Sequence, residues 1–166
     1  MLFRTYSFRF AEEVLNSKLA LKKELEDIIS SLRPDYRTLN RPTFNQIVEE
    51  AFITRGWMTQ PLVFNEPGDP AAKMDFLKER IGVEVGFGHS SFIGIDLLKF
   101  QVSSYSALNT IDVGIYIVTT REFQSMMKKD YGISWGASLT FQKVERYLPH
   151  FKSAIQVPVW LVGIEP

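Results

Sequence analysis

The chain has 166 residues, 45% of them hydrophobic and 23% charged, which suits one soluble globular domain with a proper core. It has no cysteine, so disulfides, thiolate metal sites and a cysteine nucleophile are excluded. Nineteen Lys and Arg balance nineteen Asp and Glu, which argues against a diffusely basic nucleic-acid binder and leaves room for a local basic cleft.

No apolar run approaches the roughly 18 residues of a membrane span, and no signal-peptide pattern opens the chain, so the expected location is the cytoplasm. Phe8 to Leu32 reads as a helix, with Val14, Leu15, Leu19, Leu21, Leu25, Ile28 and Ile29 at helical spacing. Arg33-Pro34-Asp35 breaks it, and Leu39 to Pro42 is a linker. A second helix starts at Thr43, read as an N-cap with Gln46 completing a capping box, and Gly56 ends it. Phe44, Ile47, Val48, Ala51 and Phe52 form its buried stripe, while Asn45 and Glu49 share another face. Leu62-Val63-Phe64 reads as a short strand, followed by a loop through Pro67-Gly68-Asp69-Pro70.

Ala72 to Phe87 reads as a hairpin with its corner at Lys78-Glu79-Arg80. On the second strand Ile81, Val83, Val85 and Phe87 point one way, and Gly82, Glu84 and Gly86 the other. Asp75 lies on the first strand, close enough in sequence for the hairpin to bring it to Glu84. Two carboxylates on an otherwise apolar sheet need a compensating charge, and two hard oxygen ligands suit Mg²⁺, which in turn suits phosphodiester hydrolysis.

Past a polar loop, Gly88 to Ser91, carrying His89, Phe92 to Leu108 reads as a helix with Ile95, Leu98, Val102 and Leu108 apolar. Ile111 to Val118 is an apolar, β-branched run, the mark of a strand buried on both faces. Glu122 to Lys129 reads as a short helix, Tyr131 to Thr140 as a loop, Phe141 to Phe151 as a helix and Val157 to Ile164 as a last strand. The order predicts an α/β fold with a central mixed sheet flanked by helices.

The series FNQIVEEAFITRGW, MDFLKERIGVEVGF, FIGIDLLKFQ, IDVGIYIVTTREFQ and VPVWLVGI resembles the BglII/BstYI-like type II restriction endonucleases of the PD-(D/E)XK superfamily, from Phe44 to Ile164. The resemblance implies one restriction-endonuclease-like domain over 1–166, with residues 1–42 a helical extension and 43–166 the nuclease core. It implies a Mg²⁺-dependent deoxyribonuclease acting on double-stranded DNA as a homodimer. Asp75 and Glu84 match the metal-binding carboxylates, and the Val85 carbonyl would also face the metal. Asn45 and Glu49, with Glu50 behind them, are the candidates from the preceding helix to complete the site.

The third position of the motif departs from the pattern, because Gly86 stands where many members place Lys and some place Glu or Gln. Lys73, two residues before Asp75, and His89, Lys99 and Gln101 on the following loop and helix are weighed to replace it; each also reads as a surface residue, and Lys73 and Gln101 are preferred. If the missing side chain limits the rate, Gly86→Gln or Gly86→Lys should raise activity. The loops Asn65 to Pro70, His89 to Ser91 and Gly132 to Thr140 suit DNA contact. Phe92 to Leu108 and the first helix are the candidate dimer helices. Two other readings stand beside this one: a catalytically impaired DNA-binding protein that keeps the nuclease fold, and an interaction domain in which the acidic pair is incidental.

Overall fold

The computed structural model describes residues 1–66, 68–105 and 109–166. Among them six strands form one mixed sheet: Phe3–Phe8 (β1), Met58–Thr59 (β2), Phe76–Lys78 (β3), Ile81–Val85 (β4), Val113–Thr119 (β5) and Val159–Ile164 (β6). The spatial order is β1-β6-β5-β4-β3-β2. The central strands β4, β5 and β6 run parallel, and β1, β3 and β2 add antiparallel strands at the two sides. Every residue of β5 and β6 is buried, as expected for strands covered on both faces.

Helices Ala11–Asn16 (α1), Leu19–Ser31 (α2), Arg41–Ile53 (α3) and Arg121–Tyr131 (α5) cover one face. There Phe44, Phe52 and Phe123 pack on Ile81, Val83, Ile115, Ile117 and Trp160. Helices Ile93–Tyr105 (α4) and Phe141–Tyr147 (α6) cover the other, where Leu97, Phe100 and Phe141 meet Tyr116, Val118, Val159 and Leu161. Alternation on β4 and β5 sorts the two sets: Val113, Ile115 and Ile117 face the first layer, and Gly114, Tyr116 and Val118 the second. At Gly114 the second layer comes close to the sheet, since a Cβ there would meet the Phe100 ring at 2.6 Å. No helix among the described residues is long and apolar enough to cross a membrane.

Several boundaries differ from the sequence reading. Residues 1–42 contribute more than helices: Phe3–Phe8 is a strand, with Phe3 packed against the first core layer and Phe8 in the second. The helix expected over Phe8 to Leu32 is two, because Arg9 and Phe10 take left-handed φ of 53° and 60° and the chain turns again at Ser17 and Lys18. The cap of α3 is Asn40, not Thr43; its Oδ1 accepts from the Thr43 N–H at 2.9 Å. Gln46 closes no capping box and donates to Glu50 instead. Leu62-Val63-Phe64 is not a strand: Leu62 forms an isolated bridge to Lys73, the Val63 and Phe64 N–H groups donate to the Ala72 carbonyl, and the strand of that region is β2. The α4 helix begins at Ile93 and is described to Tyr105, the last three residues of the expected Phe92 to Leu108 lying outside the described residues. The helix from Phe141 is α-helical only to Tyr147 and continues as a 3₁₀ turn to Phe151.

Candidate active site

The β3–β4 hairpin turns through two residues, Glu79 and Arg80, both with positive φ (43° and 68°), the geometry of a type I′ turn. Neither is the Asn or Gly such a turn prefers. Arg80 is held in place from outside, donating to Asp112 Oδ1 at 2.8 Å and to the Asn109 carbonyl at 2.6 Å. The turn sets the register Phe76 opposite Val83, and one step further puts Asp75 across from Glu84. Phe76 and Val83 face the first core layer. Asp75 and Glu84 therefore face the second, where both line one cleft with Val85 and Gly86. Asp75 is fixed by the Val85 N–H, which donates to Oδ2 at 2.7 Å.

Glu84 is 3% exposed and lies next to Tyr116 in the parallel β4–β5 register. Its Oε2 accepts from the Lys99 ammonium at 2.6 Å, and its Oε1 is buried with no hydrogen-bond partner. Lys99, 5% exposed, also donates to the Lys73 carbonyl at 3.0 Å and lies 3.5 Å from Asp96. Asp96 in turn accepts from the Tyr116 hydroxyl at 2.7 Å. Two carboxylates, Glu84 and Asp96, thus share one ammonium, and Asp75 acts on it only through its charge. Burial, then Asp75, pushes the Glu84 carboxyl well above the usual carboxylate range, with Lys99 opposing. Burial also raises Asp75 and Asp96, against the Val85 N–H in one case and the Tyr116 hydroxyl in the other. For Lys99 burial acts downward, but Glu84 and the two aspartates outweigh it and the net shift is upward.

The other sequence candidates separate. Asn45 lines the same cleft and an adjoining concavity in which Glu49 meets Asp75 and Val85. Both are exposed on α3, and Glu50 lies away from these hollows, paired to Gln46. Lys73 contributes its backbone carbonyl to the Lys99 ammonium. Gln101 is outside the cleft: its Oε1 accepts the backbone N–H groups of Gln156 and Val157, so it braces the approach to β6. His89 borders the cleft and caps the short turn at Ser90–Phe92 through Nδ1.

Sequence reasoning missed Asp96 and Tyr116 and placed Lys99 behind Lys73 and Gln101. The stripe chosen for α4 included Leu98, which is 46% exposed, whereas Ile93, Leu97, Lys99, Phe100 and Ser103 are the buried set. A lysine on the buried stripe of an apolar helix requires a partner carboxylate. The acidic hairpin just upstream was the available signal.

Gly86 is a matter of space, not of backbone. The left-handed glycines among the described residues are Gly56 and Gly132, and Gly86 is not one of them. A Cβ at 86 would meet the Tyr116 ring at 2.7 Å and its hydroxyl at 3.0 Å. The space that a side chain from Gly86→Gln or Gly86→Lys would enter is therefore already filled by Tyr116. Gly86→Gln is expected to destabilise by about 1–3 kcal/mol, the usual cost of overpacking a core. A denaturant midpoint equal to that of the parent would show that Tyr116 yields freely.

Among the described residues no group of three or more His, Cys, Asp or Glu side chains is arranged to hold a metal ion by itself. The donors present nevertheless fit a hard divalent cation. Mg²⁺ commonly takes one or two carboxylates and keeps water or substrate oxygen for the rest. Asp75 and Glu84 supply the carboxylates, Glu84 Oε1 has no hydrogen-bond partner, and the Val85 carbonyl is the adjacent backbone donor.

A parallel-centred mixed sheet with an acidic hairpin at its cleft is the architecture of restriction-endonuclease-like α/β enzymes. The chain matches the model of the family described as restriction endonuclease BglII/BglIII over residues 3–164, and it belongs to that family. Its class is therefore that of a type II site-specific endonuclease. Among solved structures, it is similar to the crystal structure of BglII complexed with a DNA 16-mer, at 19% identity and a TM-score of 0.76 over 100% of this chain and 79% of that one. It is also similar to free BglII, at 23% identity and a TM-score of 0.65 over 100% of this chain and 80% of that one. At these identities the likeness concerns the fold. No curated protein matches the chain.

Proposed function

We propose that this chain is a catalytically competent, Mg²⁺-dependent endonuclease that hydrolyses phosphodiester bonds in double-stranded DNA, with Asp75, Glu84 and the Val85 carbonyl as its metal ligands. The observation that carries the reading is the pairing of a half-buried carboxylate, Asp75, with a buried one, Glu84, across the β3–β4 hairpin on the cleft face, the second with an oxygen that no hydrogen bond satisfies. A bound divalent cation would polarise the scissile phosphate and acidify water. Asp75, held by the Val85 N–H, and Glu84, held by Lys99, would fix its position without moving. Asn45 and Glu49 stand at the α3 side of the cleft, where they can orient water through hydrogen bonds. Hydrolysis forms a bond from the water oxygen to phosphorus and breaks the bond from phosphorus to the 3′ oxygen. The water proton leaves to solvent, and the 3′ oxygen takes a proton from solvent, giving a 5′-phosphate and a 3′-hydroxyl.

The loops 89–91 and 132–140 are proposed to meet DNA together. They are joined by the bridge between His89 and Ser138 and by the Ser90 N–H donating to the Ala137 carbonyl at 2.9 Å. A palindromic target would be read by two copies related by a two-fold axis, so a homodimer is proposed.

The test is digestion of mixed-sequence duplex DNA with Mg²⁺ or Mn²⁺, followed by sequencing of the fragment ends. Discrete ends that depend on the cation are the expected result. Specific binding of DNA that stays uncut in either cation would replace this reading with that of an inactive, DNA-binding nuclease fold.

A further inference from the structure

We propose that Lys99, delivered from helix α4, is the cationic group of this active site and does the work of the side chain that Gly86 lacks. The proposal rests on the nuclease reading above. Two observations carry it. Where a third side chain would project from β4, the Tyr116 ring already stands, 2.7 Å from the place of a Cβ on Gly86. And an ammonium reaches the same carboxylate from another direction: Lys99 Nζ lies 2.6 Å from Glu84 Oε2, in the cleft that Asp75 and Gly86 also line.

The helix is brought close enough for this by its neighbour in sequence. Phe100 presses on Gly114 of β5, with ring atoms 2.6 to 2.8 Å from the position of a Cβ there, so α4 lies tight against the sheet just beside Lys99. The ammonium has three protons to place. Glu84 Oε2 and the Lys73 carbonyl accept two, and Asp96 stands 3.5 Å away. Asp96 is itself held by the Tyr116 hydroxyl, the same tyrosine that fills the space above Gly86. One residue thus closes the usual route for a cation and secures the alternative one.

A preorganised ammonium beside the metal-binding carboxylates stabilises negative charge as it grows on the phosphoryl oxygens, and phosphoryl transfer depends largely on such charge stabilisation. Lys99 keeps its three protons throughout and contributes charge and position only.

The alternative is that Lys99 merely neutralises buried carboxylates. Lys99→Met separates the two in three measurements on the full chain: titration with Mg²⁺ or Mn²⁺ alone by calorimetry, DNA binding without metal, and cleavage at saturating metal. The proposal expects metal affinity equal to or tighter than that of the parent, because a positive charge has been removed, and metal-free DNA binding equal to or slightly weaker than that of the parent for the same reason. It expects kcat to fall about 100-fold or more, the usual effect of losing one such charge-stabilising group. Lys99→Gln, which keeps a donor toward Glu84, carries the same test if Lys99→Met fails to fold. A folded variant that binds metal and cleaves within about threefold of the parent overturns the proposal. So does a loss of cleavage accompanied by loss of metal binding, which would assign Lys99 to ligand positioning. If the parent protein itself never cuts DNA, the nuclease reading fails and this proposal falls with it; a cutting parent with a cutting Lys99→Met sinks only the role of Lys99.

Discussion

Asp75→Asn and Glu84→Gln are each expected to reduce cleavage of duplex DNA by about a thousandfold, the upper range for removal of one electrostatic element of a reacting centre, and to leave DNA binding intact. Each substitution keeps side-chain size and removes one negative charge. The amide oxygen introduced by Asp75→Asn can still accept the Val85 N–H that now donates to Asp75 Oδ2 at 2.7 Å, so the hairpin should keep its shape. At position 84 the change leaves Lys99 with Asp96 at 3.5 Å and the Lys73 carbonyl at 3.0 Å, so the ammonium is not stranded. Without metal, DNA affinity is expected to rise, since carboxylates in the cleft repel phosphates at close range. Gel assays at saturating Mg²⁺ and anisotropy titrations in chelator check the two halves. Variants that cut at near-parental rates would remove both carboxylates from the chemistry.

Phe44→Ala is expected to cost about 3–5 kcal/mol of stability, the range for truncating a large buried aromatic side chain. Phe44 is fully buried and stacks on Phe87 at 4.4 Å and on Phe123 at 5.8 Å, with Trp135 edge-on at 6.0 Å. Few neighbours could close the space: three aromatic rings from different segments meet around one side chain. Phe87 follows Gly86 at the end of β4, and Asn45 follows Phe44 on α3, so this cluster also sets the distance between α3 and the carboxylates. Urea unfolding should show a lower midpoint with an unchanged slope. A shift under about 1 kcal/mol would mean that the cluster repacks around the loss.

What was legible in the sequence followed from periodicity. Alternation from Ile81 to Phe87 placed Glu84 apart from the apolar face, and the β-branched run at Ile111 to Val118 announced a central strand; both are as the structure has them. The edge strand Phe3–Phe8 was missed because Arg4 and Thr5, neighbours on opposite faces, are both exposed, so no alternation shows, and its last residue could be absorbed into a helical pattern. The break at Arg9 and Phe10 had no Gly or Asn to mark it, although both residues take left-handed backbone. Arg9 donates to the Ile155 carbonyl at 2.9 Å, a partner far away in sequence. The placement of Lys99 in the cleft and of Gln101 outside it was hidden for the same reason. Which of two polar residues on a helix points at an acidic hairpin depends on the rotation of α4, and that is set by Phe100 against Gly114. The crowding of Gly86 by Tyr116 was likewise invisible, being a contact between neighbouring strands that no spacing within either strand encodes.

The pairing of β1 with β6 has a consequence for how the chain is made. Phe3 lies opposite Ile164 and Phe8 opposite Val159, and the Glu165 N–H donates to the Leu2 carbonyl at 3.0 Å. During synthesis β1 leaves the ribosome before every other strand of this sheet and waits for β6, the last of them, before its hydrogen bonds can form. The entropy of closing so long a loop grows only with the logarithm of its length, but it must be met before any contact of that edge rewards it. The groups around Asp75, Glu84 and Lys99, by contrast, come from one contiguous stretch between the two strands and need no such wait. A nascent chain can thus hold its reactive groups in place while one side of its sheet is still open, and exposed strand edges of that kind invite pairing with other chains until β1 covers β6.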